Sequence, residues 1–193
     1  VPGLVAIIVG DDPASHIYVA SKGKACVEIG MRTKTETFDD DIAEDELLEV
    51  IKYYNSNKDY HGILVQLPLP KHINEDRVIE TISPKKDVDG FHPVSVGNLV
   101  IGKDTFASCT PAGIQELLMR YKIETKGKHV VVVGRSNIVG KPIANIMLQK
   151  AEGANSIVTI VHSAANDISY YTKQADILIA AIGKAEMIKA DMV

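Results

Sequence analysis

The stretch Val130-Val-Val-Val-Gly-Arg-Ser-Asn-Ile-Val-Gly-Lys-Pro142 decides the fold class of the second half of this chain. Its apolar run suits a buried parallel strand, a turn follows at Gly134, and a helical pattern begins near residue 139. This is the context that a dinucleotide-binding fingerprint requires, because backbone N–H groups at a helix start can bind a pyrophosphate. The match to G-x-G-x-x-G is imperfect, since Ser136 replaces the second glycine and Gly140 falls one place late. A purely structural strand-to-helix turn therefore stays open as the alternative.

The residues around this stretch continue the same alternation of apolar runs and amphipathic segments. We predict strands at 128–133, 157–161 and 177–181, with helices at 139–149 and 168–174. The second of these strands ends in His162-Ser163, where an NAD-binding site usually carries an acidic residue that binds the ribose hydroxyls. With no acid there and Arg135 at the turn, NADP is favoured over NAD. A solvated Arg135 without a ligand is the alternative.

The first half of the chain shows a separate set of strands and helices. We predict strands at 4–9, 32–38 and 62–65, with helices at 15–28 and 43–55. Continuous apolar strands separated by helices predict a mostly parallel sheet that is covered on both faces. A helix at 112–121, with Thr110 as its N-cap and Pro111 in its first turn, opens the second domain. The predicted fold is α/β, with a three-layer domain at 1–111 followed by a Rossmann-like domain at 112–193.

Composition limits the classes of partner. The chain has 193 residues and is 46% hydrophobic, which is ample for packed cores. It carries 21 basic against 25 acidic residues and a formal net charge of -4, so no broad basic surface is expected for nucleic acid. No apolar run approaches the roughly 20 residues that a membrane-spanning helix needs. Cys26 and Cys109 are far apart, which argues against a disulfide framework or a metal site and favours a reducing, cytoplasmic compartment.

Two features of the first domain suggest a ligand site. The segment Gln66-Leu-Pro-Leu-Pro70 must leave the sheet at the end of strand 62–65, because proline has no backbone donor. Open α/β sheets bind ligands at this edge. Tyr18 and Lys22 are four residues apart, on one face of a helix. Alone, such a pair is typical of an ordinary amphipathic surface. Short-chain dehydrogenases carry the same spacing, but after the nucleotide motif, whereas here it comes long before Gly134.

Five sequence blocks occur in the order of one known family. They are Tyr18-Val-Ala-Ser-Lys22, Val65-Gln-Leu-Pro-Leu-Pro70, Lys86-Asp-Val-Asp-Gly-Phe91, Ser108-Cys-Thr-Pro111 and Val133-Gly-Arg-Ser-Asn-Ile-Val-Gly-Lys-Pro142. Together they resemble the bifunctional methylenetetrahydrofolate dehydrogenase/methenyltetrahydrofolate cyclohydrolase family along essentially the whole chain. Relative to that family, we expect the leading helix and the carboxyl-terminal portion to be missing, and a protein of these residues alone to be weakly active or inactive.

The resemblance implies an activity and a catalytic domain at 1–111. It implies NADP-dependent oxidation of 5,10-methylenetetrahydrofolate to 5,10-methenyltetrahydrofolate, followed by hydrolysis to 10-formyltetrahydrofolate. Lys22 corresponds to the catalytic lysine of the family, and a lysine acts as a base when burial and neighbours weaken its hold on a proton. Gln66 would orient Lys22, Tyr18 would stack on the folate rings, and Asp89 would accept hydrogen bonds from the pterin. Taken singly, a solvated glutamine and a loop-capping aspartate are the alternatives, and Asp87 could shape the turn while Asp89 faces the pocket.

The resemblance also implies the remaining site residues and the partners. Val65 and Leu67 join the substrate pocket, no metal is expected, and the protein is expected to be a homodimer that binds tetrahydrofolate derivatives. The nucleotide site comprises four residues: Gly134, Arg135, Ser136 and Ser163. The family usually has a basic residue and a threonine after the His-Ser pair, whereas this chain has Ala164 and Ala165, which weakens a 2′-phosphate clamp. Another NADP-dependent dehydrogenase of a small acid and a non-catalytic nucleotide-binding module are the alternative functions.

Overall fold

The structure is a computed structural model that describes residues 1–193. Its contacts divide the chain into two compact units, Val1–Val94 and Ser95–Val193. Each unit is built around a three-stranded parallel sheet, so the predicted α/β class is confirmed. The predicted boundary after residue 111 lies within the second unit, in the first turn of a helix. Where the chain separates into independently folding domains stays a prediction.

The first unit alternates strands and helices in chain order. Its elements are β1 (Gly3–Val9), α1 (Pro13–Glu28), β2 (Arg32–Phe38), α2 (Glu44–Ser56), β3 (Gly62–Val65) and α3 (Glu75–Thr81). The strand order is β2-β1-β3, and both pairs are parallel. The helix α1 begins two residues earlier than predicted, because the Asp12 side chain accepts a hydrogen bond from the Ser15 N–H (2.8 Å) and caps the helix.

The core of the first unit lies on both faces of its sheet. On one face, Val5 and Ile7 of β1 pack with residues of α2 and α3, and both side chains are completely buried. On the other face, Ala6, Ile8 and Leu64 pack against Val19 of α1. Successive residues of a strand point to opposite faces, so an uninterrupted apolar strand is what two covering layers require. Burying one such side chain contributes roughly 1.5–3 kcal/mol.

Two helices of the structure were not predicted from the sequence. The helix α3 has seven residues and a single buried side chain, Val78, which is too little for a helical period to be visible. Its first turn is capped by Asn74, whose side chain accepts a hydrogen bond from the Arg77 N–H at 3.2 Å. The other missed helix is α4 (Pro93–Val100). Two residues of α3, Val78 and Ile79, line a cavity together with Val65 at the end of β3.

The second unit has the same alternation. Its remaining elements are α5 (Cys109–Arg120), β4 (His129–Val133), α6 (Gly140–Leu148), β5 (Ile157–Val161), α7 (Ile168–Thr172) and β6 (Ile177–Ala180). The strand order is β5-β4-β6, all parallel. One face of the sheet packs with α5 and α6, and the other face packs with α7 and with the chain after β6. None of the helices in either unit is long and apolar enough to cross a membrane.

The predicted start of α5 is wrong. The helix begins at Cys109 with Ser108, rather than Thr110, at the N-cap position. The Ser108 hydroxyl is buried and donates to the Ile138 carbonyl oxygen (2.9 Å), so it anchors the helix to the loop after β4 and makes no capping bond. Pro111 lies in the first turn of the helix, as predicted. The N–H groups of the first turn have no partner within the helix, so a proline there costs no helical hydrogen bond.

Candidate active site

The buried face of α1 positions Lys22. Ser15, Val19 and Cys26 are the buried residues of this helix, and Lys22 follows Val19 by three residues and precedes Cys26 by four. That spacing places Lys22 on the same stripe, so its side chain is half-buried against the sheet. Its Nζ donates a hydrogen bond to Gln66 Oε1 at 3.2 Å. Tyr18 lies one turn earlier beside this stripe, and 63% of its surface is exposed.

Gln66 meets Lys22 because it continues the line of β3. Its N–H donates to the Ile7 carbonyl (2.9 Å), which extends the parallel pairing by one residue. Alternation along the strand then places Gln66 on the same face as Leu64, the face that α1 covers. The Gln66 Nε2 donates to the Leu67 carbonyl (2.8 Å), so its Oε1 is the atom left to accept from Lys22.

The loop after α3 runs beside β3 and is closed by Asp87. The Ile63 N–H donates to the Lys86 carbonyl (2.8 Å), and Ile63 forms a parallel bridge with Asp87. The Asp87 carboxylate is 3% exposed and accepts from three backbone N–H groups. The donors are Gly90 (3.0 Å) and Phe91 (3.3 Å) to Oδ1, and His92 (2.9 Å) to Oδ2. Asp87 therefore shapes the turn, which is the role that the sequence suggested for it.

Asp89 and Asp87 line one small, mostly apolar cavity. Its other lining residues come from the end of β3, from α3 and from the loop: Val65, Leu67, Val78, Ile79, Ile82 and Phe91. Burial raises the pKa of Asp89 to about 6, the positive charge of Lys22 opposes this rise, and the negative charge of Asp87 adds to it. A carboxylate here can accept hydrogen bonds from a flat ring that carries N–H groups, beside an amine able to move a proton.

The structure thus gathers most of the predicted folate-site residues in the first unit. Lys22 and Gln66 are in contact, the positive charge of Lys22 lowers the pKa of Asp89, and Val65 and Leu67 line a cavity with Asp89. Tyr18 joins them only as a neighbour along α1. Their roles toward a ligand stay predictions.

Two glycines shape the turn between β4 and α6. Gly134 has a φ of +128°, and its N–H donates to the Val161 carbonyl at 2.8 Å, which joins the turn to the end of β5. A Cβ on Gly134 would collide with the backbone carbonyl of Ala181. A Cβ on Gly140 would collide with the Gly134 carbonyl. Gly140, which falls one place late in the fingerprint, therefore lets the first turn of α6 pack closely against the turn after β4.

Ser136 caps the start of α6. Its Oγ accepts from the Val139 N–H (3.1 Å) and from the Gly140 N–H (3.2 Å). A serine stands where the fingerprint has its second glycine because these donors need an acceptor. Arg135 beside it is exposed and forms no salt bridge, so its guanidinium is available to an anion.

A pocket opens where β5 ends. It is lined by Ile160, Val161, His162, Ala164, Ala165 and Tyr171. His162 Nδ1 accepts from the Ala164 N–H (3.2 Å), and Ser163 is exposed on the same turn. No carboxylate lines this pocket, which suits a phosphate better than an acidic strand end would. The two alanines supply no positive charge, so the residues present fit a 2′-phosphate only through His162, Ser163 and the neighbouring Arg135.

The sequence offered Asp87 as a residue that shapes its turn, but the hydrogen bonds that anchor the turns were not predicted. The spacing Asp87-Val-Asp-Gly90 is typical of a turn in which an aspartate bonds a nearby backbone N–H, which accounts for the bond from Gly90 but not for those from Phe91 and His92. The Ser108 anchor had no local signal, because its acceptor is thirty residues away. No three or more His, Cys, Asp or Glu residues are grouped so as to hold a metal ion. The expectation of a metal-free site stays a prediction.

Comparison with known proteins gives one consistent family. Residues 1–89 match the tetrahydrofolate dehydrogenase/cyclohydrolase catalytic domain, and residues 108–193 match its NAD(P)-binding domain. The chain is 61% identical over 195 residues to the bifunctional protein FolD of Chlorobium limicola, covering 100% of this chain and 66% of that protein.

Solved structures agree with these matches. The bifunctional FolD methylenetetrahydrofolate dehydrogenase/cyclohydrolase of Campylobacter jejuni superposes with a TM-score of 0.93 at 45% identity, over 99% of this chain and 67% of that one. The FolD enzyme of Trypanosoma brucei, solved with NADP and an inhibitor, gives 0.88 at 35% identity, over 95% and 62%. The chain spans 66% of the curated FolD relative. Because the family models match residues 1–89 and 108–193, and because the solved structures superpose on nearly the whole chain, the chain belongs to the tetrahydrofolate dehydrogenase/cyclohydrolase family.

Proposed function

We propose that the protein oxidises 5,10-methylenetetrahydrofolate with NADP and hydrolyses the resulting 5,10-methenyltetrahydrofolate to 10-formyltetrahydrofolate. The observation that carries the proposal is the hydrogen bond of 3.2 Å between Lys22 Nζ and Gln66 Oε1, with the partly buried Asp89 under the influence of the Lys22 charge, in a chain of this family. An amine held by an amide beside a carboxylate is what binding and proton transfer on a folate need.

The folate would be bound by side chains of the first unit. Asp89 presents a carboxylate that accepts from the pterin amino group and ring N–H, and Val65 and Leu67 supply apolar surface beside it. The exposed ring of Tyr18, one turn from Lys22, is free to stack on a flat part of the substrate. Each of these contacts positions the one-carbon bridge next to the amine of Lys22.

Lys22 would manage the proton in the hydrolytic step. Water adds its oxygen to the methenyl carbon and loses one proton. The bond from that carbon to N5 then breaks as N5 gains a proton, and the hydroxyl on the carbon loses its own proton to solvent and becomes the formyl oxygen. The amine of Lys22 would take the first proton and return it at N5. Gln66 keeps the amine in place because its own amide is held by the Leu67 carbonyl. Bound NADP supplies the hydride acceptor for the preceding oxidation.

The nucleotide would bind at the turn after β4. Gly134 allows close approach of the backbone, and the cofactor-binding residues that we propose with it are Arg135, Ser136 and Ser163. The preference for NADP over NAD rests on the exposed Arg135 and on the absence of a carboxylate in the pocket at the end of β5. The related Trypanosoma brucei enzyme was solved with NADP, which supports this choice. Ala164 and Ala165 supply no positive charge to a 2′-phosphate, so we expect only a modest preference for NADP over NAD.

Three further proposals come from the sequence and from family membership. We infer a homodimer, a cytoplasmic location, and a catalytic domain that ends at residue 111, with the nucleotide-binding domain beginning at 112. Analytical ultracentrifugation tests the first of these, and limited proteolysis tests the third.

The function is tested with the purified full-length protein. We expect formation of reduced NADP that depends on methylenetetrahydrofolate, and loss of methenyltetrahydrofolate absorbance above the spontaneous rate. NADP binding without either activity would favour a non-catalytic nucleotide module. Reduction of NADP by a small acid, with no response to folate, would favour a different dehydrogenase.

A further inference from the structure

Asp87 is a buried carboxylate that the proposed reaction does not use directly. Both of its oxygens are occupied, because Oδ1 accepts from Gly90 and Phe91 and Oδ2 accepts from His92. The residue is 3% exposed. A carboxylate that accepts several backbone N–H groups makes charge-assisted bonds, which are stronger than neutral ones. Such a residue fixes the conformation of the turn that it closes.

The turn closed by Asp87 is attached to the strand that leads to Gln66. The Ile63 N–H donates to the Lys86 carbonyl at 2.8 Å, immediately before Asp87. Immediately after it, the Val88 side chain occupies the space that a Cβ on Gly62 would need. Asp89 is the next residue, and Gly90 follows with a φ of +70°, in the left-handed region. Asp89 therefore has fixed residues on both sides.

We propose that Asp87 is a positioning residue of the folate site, whose carboxylate closes the turn that holds Asp89 beside β3 and near Lys22. This inference rests on the proposed function, because it assigns Asp89 to the pterin. Asp87 itself would not bind the substrate, since it is 3% exposed and both of its oxygens already accept from backbone donors.

The charges around Asp89 give a readout that a merely structural role would not change. Lys22 of α1 and Asp87 of its own loop are the charged groups that act on it, whereas β3 and α3 present apolar side chains to the cavity. The pterin donors bind the ionised carboxylate, so folate affinity should fall as pH drops through the pKa of Asp89, about 6. Removing the negative charge of Asp87 lowers this pKa and moves the loss of affinity to lower pH.

The experiment compares Asp87→Asn with the unaltered full-length protein, using folic acid as the probe from pH 5 to pH 8. Asparagine keeps the shape but offers one accepting oxygen in place of two. We expect roughly tenfold weaker binding at pH 8, where Asp89 is ionised in both proteins, because at least one charge-assisted bond to the turn is lost. We also expect the acidic loss of affinity to move to lower pH. Asp167→Asn removes an exposed carboxylate that also accepts from a backbone N–H, that of Tyr170 in the second unit, and serves as the control for the chemical change.

The outcomes separate this inference from the proposed function. If the unaltered protein does not bind folic acid, the proposed function fails and this inference fails with it. A different outcome is that the unaltered protein binds while folded Asp87→Asn has the same affinity at pH 8 and loses its affinity at the same acidic pH. In that case Asp87 only stabilises the fold, and this inference alone is overturned.

A second variant covers the case in which Asp87→Asn does not fold. Gly90→Ala keeps every charge but strains the left-handed position in the same turn. It should weaken folic acid binding at pH 8 severalfold, while the acidic pH at which affinity is lost stays the same as in the unaltered protein. Unchanged affinity in folded Gly90→Ala would show that the turn does not position Asp89.

Discussion

The two units share a sheet plan but build their sites from different parts of the chain. Both have a central strand that comes first in sequence, with the second strand on one side and the third on the other. In the first unit, the site consists of side chains from α1, from the end of β3 and from the loop at 86–92. In the second unit, it consists mostly of backbone, shaped by Gly134 and Gly140 and capped by Ser136.

The two sites should therefore respond differently to substitution. A side chain such as Lys22 can be replaced with little effect on the fold, because it is half-buried and has one hydrogen-bond partner. A glycine such as Gly134 cannot be replaced in this way, because the backbone of Ala181 occupies the space that a Cβ would need. Substitutions in the first site should therefore change rates more than stability. Substitutions of the glycines in the second should change stability first.

The largest effect is expected for Lys22→Met. Methionine keeps an unbranched chain of similar length without the amine, so folate should still bind while hydrolysis of methenyltetrahydrofolate falls by roughly 10² to 10⁴. Dehydrogenase activity should fall less, since hydride transfer depends mainly on positioning. The measurement is methenyltetrahydrofolate absorbance in the full-length protein, corrected for the spontaneous reaction.

Lys24→Met is the matched control for this prediction. Lys24 lies on the same helix with an exposed side chain 4.0 Å from Glu28, so its loss should leave both activities near normal. Equal hydrolysis by the Lys22→Met protein and the unaltered protein would mean that another group handles the proton.

The next effect concerns nucleotide choice in the second site. Ser163→Asp places a negative charge on the exposed turn after β5, where a like charge opposes a 2′-phosphate by several kcal/mol. We expect NADP affinity to fall about a hundredfold and NAD affinity to change little. Titration of both nucleotides against the full-length protein measures this. Asn166→Asp adds the same charge three residues later and should have a much smaller effect, while similar losses for both variants would point to general repulsion.

The sequence revealed the second site more directly than the first. Four valines, a glycine and a helical pattern are local signals, and the structure confirms the strand, the turn and the helix at that place. The position of the late glycine was visible but its reason was not, because the atom that excludes a Cβ on Gly140 is the Gly134 carbonyl. The capping bonds of Ser136 likewise depend on the exact path of the turn.

The first site could not be assembled from local patterns. Lys22 and Gln66 are 44 positions apart and meet because α1 covers the face of the sheet to which Gln66 points. Only the resemblance to a family placed them together in advance. The loop at 86–92 also shows why a motif is ambiguous, since two aspartates that line one cavity have different hydrogen-bond partners. Asp87 accepts from three backbone N–H groups, whereas burial raises the pKa of Asp89.

A smaller effect, on stability, is expected for Gly134→Ala. The residue has a φ of +128°, and the added methyl group would meet the Ala181 backbone, so the free energy of unfolding should fall by roughly 2–4 kcal/mol. Urea unfolding measures the difference. Gly113→Ala, inside α5 with open space around it, should instead be neutral or stabilising by up to about 1 kcal/mol. A Gly134→Ala protein as stable as the unaltered one would show that the turn adapts, and the contrast between the two sites would weaken.

The smallest effect is expected away from both sites, at Glu36 on β2. Lys34 binds this carboxylate (2.7 Å), the Tyr54 hydroxyl donates to it, and these two partners lower the pKa of Glu36. A carboxyl group whose pKa is lower in the folded state stabilises the fold above its unfolded value, near 4.3, and this contribution disappears as pH falls through the folded value. The Glu36→Gln protein should therefore lose less thermal stability than the unaltered protein between pH 6 and pH 2. Glu49→Gln, which removes an exposed partner of Lys52 on α2, is the control and should follow the unaltered protein, because exposed ion pairs contribute little. Differential scanning calorimetry across this range measures the difference, and parallel curves for all three proteins would mean that the pairing of β2 with α2 does not depend on the charge of Glu36.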